Sequence, residues 1–494
     1  MNTAQRWLVV SGLAALALVF LLWWRPENRP ARPVRSPLVV YCAAGVKPPA
    51  EATARAYERA YGTPVQLQYG GSGTLLSNLR LAGRGDLFVA ADESYLHAAR
   101  TNGLVEEIIP LARMVPVIAV RAGNPKGIRS LQDLARVNVA LANPEAAAIG
   151  NIVRELLRPS GQWDLLEKQV RVFKPTVTDI ANDIKLGTVD AGIVWDATVN
   201  QYPELEMVRV PALANGEQNV SIGVLKSSAQ PTAALHFARY LGAPEHGLKE
   251  FVRCGYQPVE GDAWEERPTA VLFSGGVNRL AIEDTIQRFE QREGANVTRV
   301  YNGCGILVSQ MKAGQHPDAY FACDVSFVPP VSDLFLEPLE VSETHIVMLV
   351  AKGNPLAIRT LEDLGRPGLR VGTANAEQST LGALTDQLLK ELGLLDRVQA
   401  NLKVQTPTAD LLVNQIQTGS LDAVVVYEVS TSQVRDSLTV VPIRHPGAKA
   451  IQPYAVGKNS RHRWLMERLR AAICSEESRR HYESLGFRWR ANPH

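Results

Sequence analysis

"VQLQYGGSGTLLSNLRL" at residues 65–81 and "VTRVYNGCGILVSQMKA" at residues 297–313 are two versions of one motif. Each is a short β-prone run ending in tyrosine, then a turn of small residues, then an apolar pattern with helical spacing, which predicts strand, glycine turn, helix. Tyr69 and Tyr301 lie 232 positions apart. The same spacing relates Gly62 to Gly294, Gly71 to Gly303, Gly73 to Gly305, Leu75 to Leu307, Asp86 to Asp318 and Asp92 to Asp324. It shortens by two at Asn124/Asn354 and Leu131/Leu361. It then returns at Asn143/Asn375, Pro175/Pro407, Gly187/Gly419 and Asp190/Asp422. One register held over so many positions marks a tandem duplication of a unit of roughly 225 residues, joined near residues 261–268.

Within a unit, short apolar runs alternate with helical patterns. "LVVYCAA", "VQLQY", "DLFVAAD", "MVPVIAV", "VNVALAN", "VRVFKP" and "AGIVWD" read as strands. "PAEATARAYERAYG", "TLLSNLRLAG", "GNIVRELLRPSG" and "VTDIANDIKLG" read as helices, several closed by glycine. Continuous apolar strands alternating with helices predict an α/β fold with a largely parallel sheet covered on both faces.

Composition narrows the function. A chain of 494 residues divides into roughly two to four compact units. With 52 basic and 50 acidic residues the net charge is +2, so the basic excess that neutralises a phosphate backbone is missing and nucleic acid is not an expected partner. The five cysteines, Cys42, Cys254, Cys304, Cys323 and Cys474, form no CxxC pair, and neither a zinc site nor a disulfide scaffold is indicated.

Residues 7–24, "WLVVSGLAALALVFLLWW", are an uncharged run of 18, enough for about 27 Å of helix at ~1.5 Å per residue. The "RPENRPARPVRSP" that follows lacks the small residues of a cleavage site and any lipobox cysteine. An uncleaved anchor with a Pro/Arg-rich linker is expected; a signal cleaved at an atypical site is the alternative. The arginines after the run (Arg25, Arg29, Arg32, Arg35) would by themselves argue against export.

In such sheets ligands bind beyond the carboxyl ends of the strands, where helices begin. Four such loops in the first unit carry small residues: residues 42–47, 70–73, 144–150 and 175–178. Each is expected to present free N–H groups at a helix N-terminus, which favours an anion. Ser72 adds a hydroxyl donor, or else caps its helix. A fifth element is the strand end Trp195–Asp196, which is Tyr427–Glu428 in the second unit. Neither GxxxxGK[ST] nor GxGxxG occurs in these loops, which disfavours a nucleotide. Neutral donors without arginine suit a compact oxyanion in a closing cleft.

The first unit, with "YGGSGTL" and "DLFVAAD" the most telling stretches, resembles the molybdate-binding proteins of ABC transporters over residues 37–257, and more weakly from residue 269 to the end. The resemblance implies two tandem type II periplasmic-binding-protein domains, each of two lobes with mixed sheets and hinge strands, behind an N-terminal transmembrane helix. The expected divisions are residues 1–36 (anchor and linker), 37–262 and 266–494. It also implies export, placing the soluble domains on the periplasmic or extracellular side of a single-pass anchor in the cell membrane. That family holds its oxyanion with two serine hydroxyls, backbone N–H groups and a tyrosine. By position these fall on Gly45, Ser72, Ala148, Val177 and Trp195 in the first unit. In the second they fall on Gly276, Cys304, Thr380, Ala409 and Tyr427, with Ser274 and Asn302 as further nearby donors. One serine is lost at Gly45, both are lost in the second unit, and only the second unit keeps the tyrosine.

Other features have two readings each. Cys304 as a nucleophile lacks a histidine at any matched cleft position. Cys304 and Cys323 form a disulfide in an oxidising compartment or stay buried thiols. Asp92 and Asp324 are metal ligands or, in the preferred reading, turn caps. Trp195 stacks on an organic ligand or fills the core. Tyr69 and Tyr301 read as packing residues, and residues 460–489 as surface helices closing a lobe. The expected function is non-catalytic capture of a small tetrahedral oxyanion, molybdate or tungstate first, for an ABC-transporter permease, with no cofactor or metal. The alternative is a tethered ligand sensor or scaffold with altered clefts.

Overall fold

The computed structural model describes residues 36–491. The expected anchor at residues 7–24 lies outside the described residues. Among the described residues no helix is long and apolar enough to cross a membrane.

The first lobe of the first unit is a six-stranded sheet. From one edge its strands are Gln257–Pro258, Val105–Met114, Gln218–Leu225, Leu87–Ala90, Leu38–Ala43 and Val65–Gly70. Leu38–Ala43 runs parallel to both neighbours, with Val40 opposite Leu67 and Leu87. It is buried almost throughout because helices cover both faces, whereas the edge strand Val65–Gly70 alternates in exposure. The helix Lys47–Tyr61 begins with Pro48 and Pro49 in its first turn. It buries Ala50, Thr53, Ala54 and Tyr57 on one face and ends at Gly62, whose φ of 67° is the left-handed closure glycine tolerates best. The second lobe is a five-stranded sheet in the order Val170–Lys174, Val139–Ala142, Ala191–Trp195, Pro116–Arg121, Leu205–Val208.

The chain crosses between lobes at Val115 and returns between Val208 and Gln218. The sheets are therefore mixed, not largely parallel as strand–helix alternation predicts. A strand that brings the chain back must run against those it joins: Gln218–Leu225 is antiparallel to both Leu87–Ala90 and Val105–Met114. The stretch "MVPVIAV" is correspondingly not one strand. Met114 ends a ten-residue strand in the first lobe, and Pro116 starts another in the second.

In the second unit the same crossing is one uninterrupted strand, Leu339–Ala351, which pairs with Lys449–Val456 in one lobe and with Ala423–Tyr427 and Leu438–Pro442 in the other. The two sheets fuse into one of ten strands. One residue accounts for the difference. Pro116 and Ile346 occupy equivalent places, opposite Trp195 and Tyr427. Ile346 donates its N–H to Ala448 O at 3.0 Å, a bond for which proline has no donor.

Several of the positions shared by the two units are backbone staples. Asp86 accepts from Val39 N–H (2.9 Å) and Ser228 Oγ (2.6 Å); Asp318 accepts from Val271 N–H (2.8 Å) and Ser460 Oγ (2.6 Å). Asn124 and Asn354 hold φ of 43° and 50° and accept from Ile128 and Ile358 N–H. Asp92 and Asp324 cap the turns at Ser94 and Ser326. Tyr301 packs against the core of the second unit as expected, whereas Tyr69 is exposed. Each donates its hydroxyl to a carboxylate of the first helix of its unit, Glu51 at 2.9 Å and Glu283 at 2.8 Å, beneath Lys47 and Arg279 respectively.

The units pack on each other through residues around the join. Glu293 is buried between Arg468 (2.5 Å) and Arg239 (3.2 Å), and Asp262 accepts from the N–H groups of Trp464 and Leu465. Trp264 packs edge-on against Tyr240, with ring centroids 5.0 Å apart. The charge-rich C-terminal helices are thus more than a surface cover, since Arg468 and His462 are buried at this contact.

Candidate functional site

Both clefts are closed, and the glycine motif is what lets them close. Gly73 and Thr74 donate their N–H groups across the first cleft to Ala146 O, at 3.0 and 3.2 Å. Gly305 donates to Gln378 O at 3.1 Å in the second. A Cβ on Gly71 would overlap Ala146 O and lie 2.7 Å from Pro175 O; one on Gly303 would overlap Gln378 O and lie 2.8 Å from Pro407 O. Their φ values, −71° and −64°, are open to any residue, so the glycines serve close approach and not an unusual turn. The Gly73 amide expected to be free for an anion is spent on the facing lobe.

The amides that remain are those at the first position of each helix, where no intrahelical acceptor exists. Ser72, Ala148 and Val177 hold that position in the helices Ser72–Ala82, Ala148–Leu157 and Val177–Leu186. With Gly45 and Trp195 they line one cavity of about 20 Å³, whose walls include no charged side chain. That volume is roughly what one ordered water requires. Ser72 is not a helix cap: Gly71 holds the cap position, and Ser72 sits one residue inside. Its Oγ accepts from Ala91 N–H at 3.2 Å, which leaves the hydroxyl proton for an acceptor in the cavity.

Gly45 lies in the turn before the helix Lys47–Tyr61, and its carbonyl accepts from the Tyr256 hydroxyl. A Cβ at Gly45 would meet Val177 Cγ2 at 3.1 Å and Trp195 Cδ1 at 3.5 Å. A side chain at position 45 would therefore press on Val177, whereas the indole, 1% exposed, stands at ordinary contact distance. Trp195 is a wall of the cavity and a core residue at once.

The second cleft has the same frame and different chemistry. Cys304 and Thr380 are at the first positions of Cys304–Lys312 and Thr380–Glu391, both fully buried, and Ala409 begins Ala409–Gln417. Gly276 opens the turn Gly276–Asn278 as Ala44 opens Ala44–Val46, so the counterpart of Gly45 is Val277 and not, as expected, Gly276. Cys323 stands where the first unit has Ala91, and its N–H donates to Cys304 Sγ at 3.0 Å, the counterpart of the Ala91–Ser72 contact. The two sulfurs are 2.7 Å apart. The buried hydroxyls of Thr380 and Tyr427, from the opposite lobe, have no hydrogen-bond partner, nor has that of Tyr320. Burial pushes the Tyr427 phenol well above its ordinary range, and charge on Cys323 and Cys304 pushes it further. Ala91, within the "DLFVAAD" stretch, is a wall of the first cavity that the sequence reading did not single out, and the register pairing it with Cys323 leads there. Among the described residues no group of three or more His, Cys, Asp or Glu side chains could hold a metal ion.

A model of the bacterial extracellular solute-binding protein family matches residues 38–257 and again residues 270–488. The chain belongs to that family. Over 226 residues this solute-binding protein is 30% identical to a Haemophilus influenzae protein described only as a binding protein, an alignment covering 45% of this chain and 91% of the relative. It is 27% identical over 252 residues to the molybdate-binding protein ModA of Mycobacterium tuberculosis, covering 48% of this chain and 94% of ModA. Among solved structures, it is similar to the periplasmic molybdate-binding protein of Azotobacter vinelandii, at 20% identity and a TM-score of 0.39. That match covers 45% of this chain and 100% of the other. The family comprises solute-binding proteins and not enzymes, which sets aside the reading of Cys304 as the nucleophile of an enzyme.

Proposed function

We propose that this solute-binding protein captures a small tetrahedral oxyanion, molybdate or tungstate first, and hands it to the permease of an ABC transporter. In this reading residues 7–24 tether it to the cell membrane, with both units on the extracytoplasmic side. The observation that carries the reading is the convergence of the Ser72 hydroxyl and the first amides of three helices on one cavity without a charged wall. Donors alone select by protonation. A fully ionised dianion offers only acceptors, whereas a protonated anion brings a hydrogen for which this cleft has no partner. The cavity of about 20 Å³ belongs to the closed state, and the ligand enters as the lobes part about Val115 and the return crossing. The likeness to molybdate-binding relatives supports the choice of anion.

A second reading, a tethered sensor or scaffold for another small ligand, draws on Gly45 and Trp195 in the first cleft and on the sulfurs in the second. Thermal unfolding of the full chain with molybdate, tungstate, sulfate or phosphate in excess separates the two. A specific ligand at ~100 times its dissociation constant adds about 2.7 kcal/mol to the unit that binds it. Shifts with molybdate and tungstate alone support oxyanion capture. No shift with any of the four favours the second reading. Retention in the membrane fraction after alkaline extraction tests the tether.

A further inference from the structure

We propose that Cys304 and Cys323 form a thiol–disulfide modification site built into the ligand position of the second cleft, and that its redox state decides whether this cleft can hold an oxyanion. The second half rests on the oxyanion reading above; formation of the bond does not.

Three positions differ together between the units. Where the first has Ala43, Ser72 and Ala91, the second has Gly275, Cys304 and Cys323. A Cβ at Gly275, such as Ala43 carries, would overlap Cys323 Sγ and lie 3.0 Å from Cys304 Sγ. The glycine therefore makes room for the sulfur pair. The sulfurs are 2.7 Å apart, both are buried, and the Cys323 N–H holds Cys304 Sγ in place. Facing them from the other lobe are the unpartnered hydroxyls of Thr380 and Tyr427, where the first unit has Ala148 and Trp195. The second cleft thus gains two hydroxyl donors where it gives up a serine for a dithiol.

Burial alone would raise the Cys304 thiol. Donation from the Cys323 thiol and amide brings it below its ordinary value, while sharing that proton leaves Cys323 well above its own. Cys304 is accordingly the attacking sulfur. With a peroxide as oxidant, the Cys304 thiolate attacks one oxygen, the O–O bond breaks, and hydroxide leaves and is protonated to water. Cys323 then attacks the Cys304 sulfenic acid. The S–S bond forms and the second oxygen leaves as water with the Cys323 proton. The two thiols lose two electrons in all, and the peroxide gains them.

In the dithiol form the Cys304 sulfur occupies the place of the Ser72 hydroxyl and is already engaged with the Cys323 thiol and amide, so it offers a dianion no donor. The disulfide is neutral and a weak acceptor. It leaves the Thr380 and Tyr427 hydroxyls to a ligand.

The test uses the full chain, reduced and desalted, with and without equimolar hydrogen peroxide, then denatured, alkylated and mapped by mass spectrometry. A peptide pair joined through Cys304 and Cys323, lighter by two hydrogens, is expected after peroxide. Two alkylated free thiols, or a link to another cysteine, would overturn the site. Calorimetric titration with molybdate is expected to give one site per chain when reduced and two when oxidised. The Cys304→Ser variant, which cannot form the bond, should give the same stoichiometry in both states. Equal stoichiometry for the unmodified chain in both states would overturn redox control of the cleft. Binding at the first site in the same titration reports separately on the oxyanion reading.

Discussion

Gly73 donates its backbone N–H to Ala146 O, 3.0 Å away across the first cleft, and Gly305 makes the same bond to Gln378 O in the second. Two lobes that meet backbone to backbone leave no room for a side chain at the contact, which is why the motif keeps its glycines while its serine becomes a cysteine.

Gly73→Ala therefore separates two physical effects. Within a helix, alanine is favoured over glycine by about 1 kcal/mol. Here its Cβ would overlap Glu145 O, and relieving such overpacking costs about 1–3 kcal/mol. The expected result is a first unit that folds normally but stands open, seen as a larger radius of gyration in small-angle scattering and weaker molybdate binding. An unchanged radius with tighter folding would mean the lobe contact does not limit closure.

Ser72→Ala removes a hydroxyl donor and leaves Ala91 N–H without its acceptor, so anion affinity should fall by about 1–3 kcal/mol. Trp195→Tyr does the reverse. It withdraws the indole from beside Gly45 and supplies a hydroxyl, and should tighten binding by about 1 kcal/mol. Both are read by calorimetric titration with molybdate, and unchanged affinity in Ser72→Ala would remove that residue from the site.

Glu293→Gln removes the carboxylate paired with the buried Arg239 and Arg468, leaving only the more distant Asp262 and Glu107 to balance them, at a cost of about 3–5 kcal/mol. Scanning calorimetry should show a lower first transition and weaker coupling between the units. The pH dependence has a definite sign. Burial would raise the Glu293 carboxyl, but Arg468 and then Arg239 hold it below its ordinary value. A folded pKa below the unfolded one stabilises above the unfolded pKa, and that contribution is lost as pH falls through the folded value. Acid should uncouple the units of the natural protein and change the coupling of the variant much less.

Ile346→Pro deletes the N–H that bonds Ala448 O and should destabilise the second unit by about 3 kcal/mol in urea unfolding. The first unit, which already has Pro116 there, should unfold as before.

Much of this architecture is legible in the sequence because its signals are local. Strand–turn–helix order follows from hydrophobic period, and the duplication follows from residues that staple their own neighbourhood, such as Asn124, Asp86 and their counterparts. Even the five residues of the first cleft, Gly45, Ser72, Ala148, Val177 and Trp195, fall at strand ends and helix starts, where topology must gather them. The free amide expected at Gly73, the single strand expected across Met114 and Pro116, and the packing role expected for Tyr69 all failed. Each depends on a partner far along the chain.

By itself, then, the sequence determined two copies of an α/β unit with small-residue loops aimed at one place, because periodicity and turn chemistry act over a few residues. Only the tertiary structure decided which amides the closing lobes consume, how one proline keeps two sheets apart, and that two cysteines nineteen residues apart face each other beside a glycine. Those outcomes are set by the distance between atoms on separate elements, which no spacing along the chain encodes.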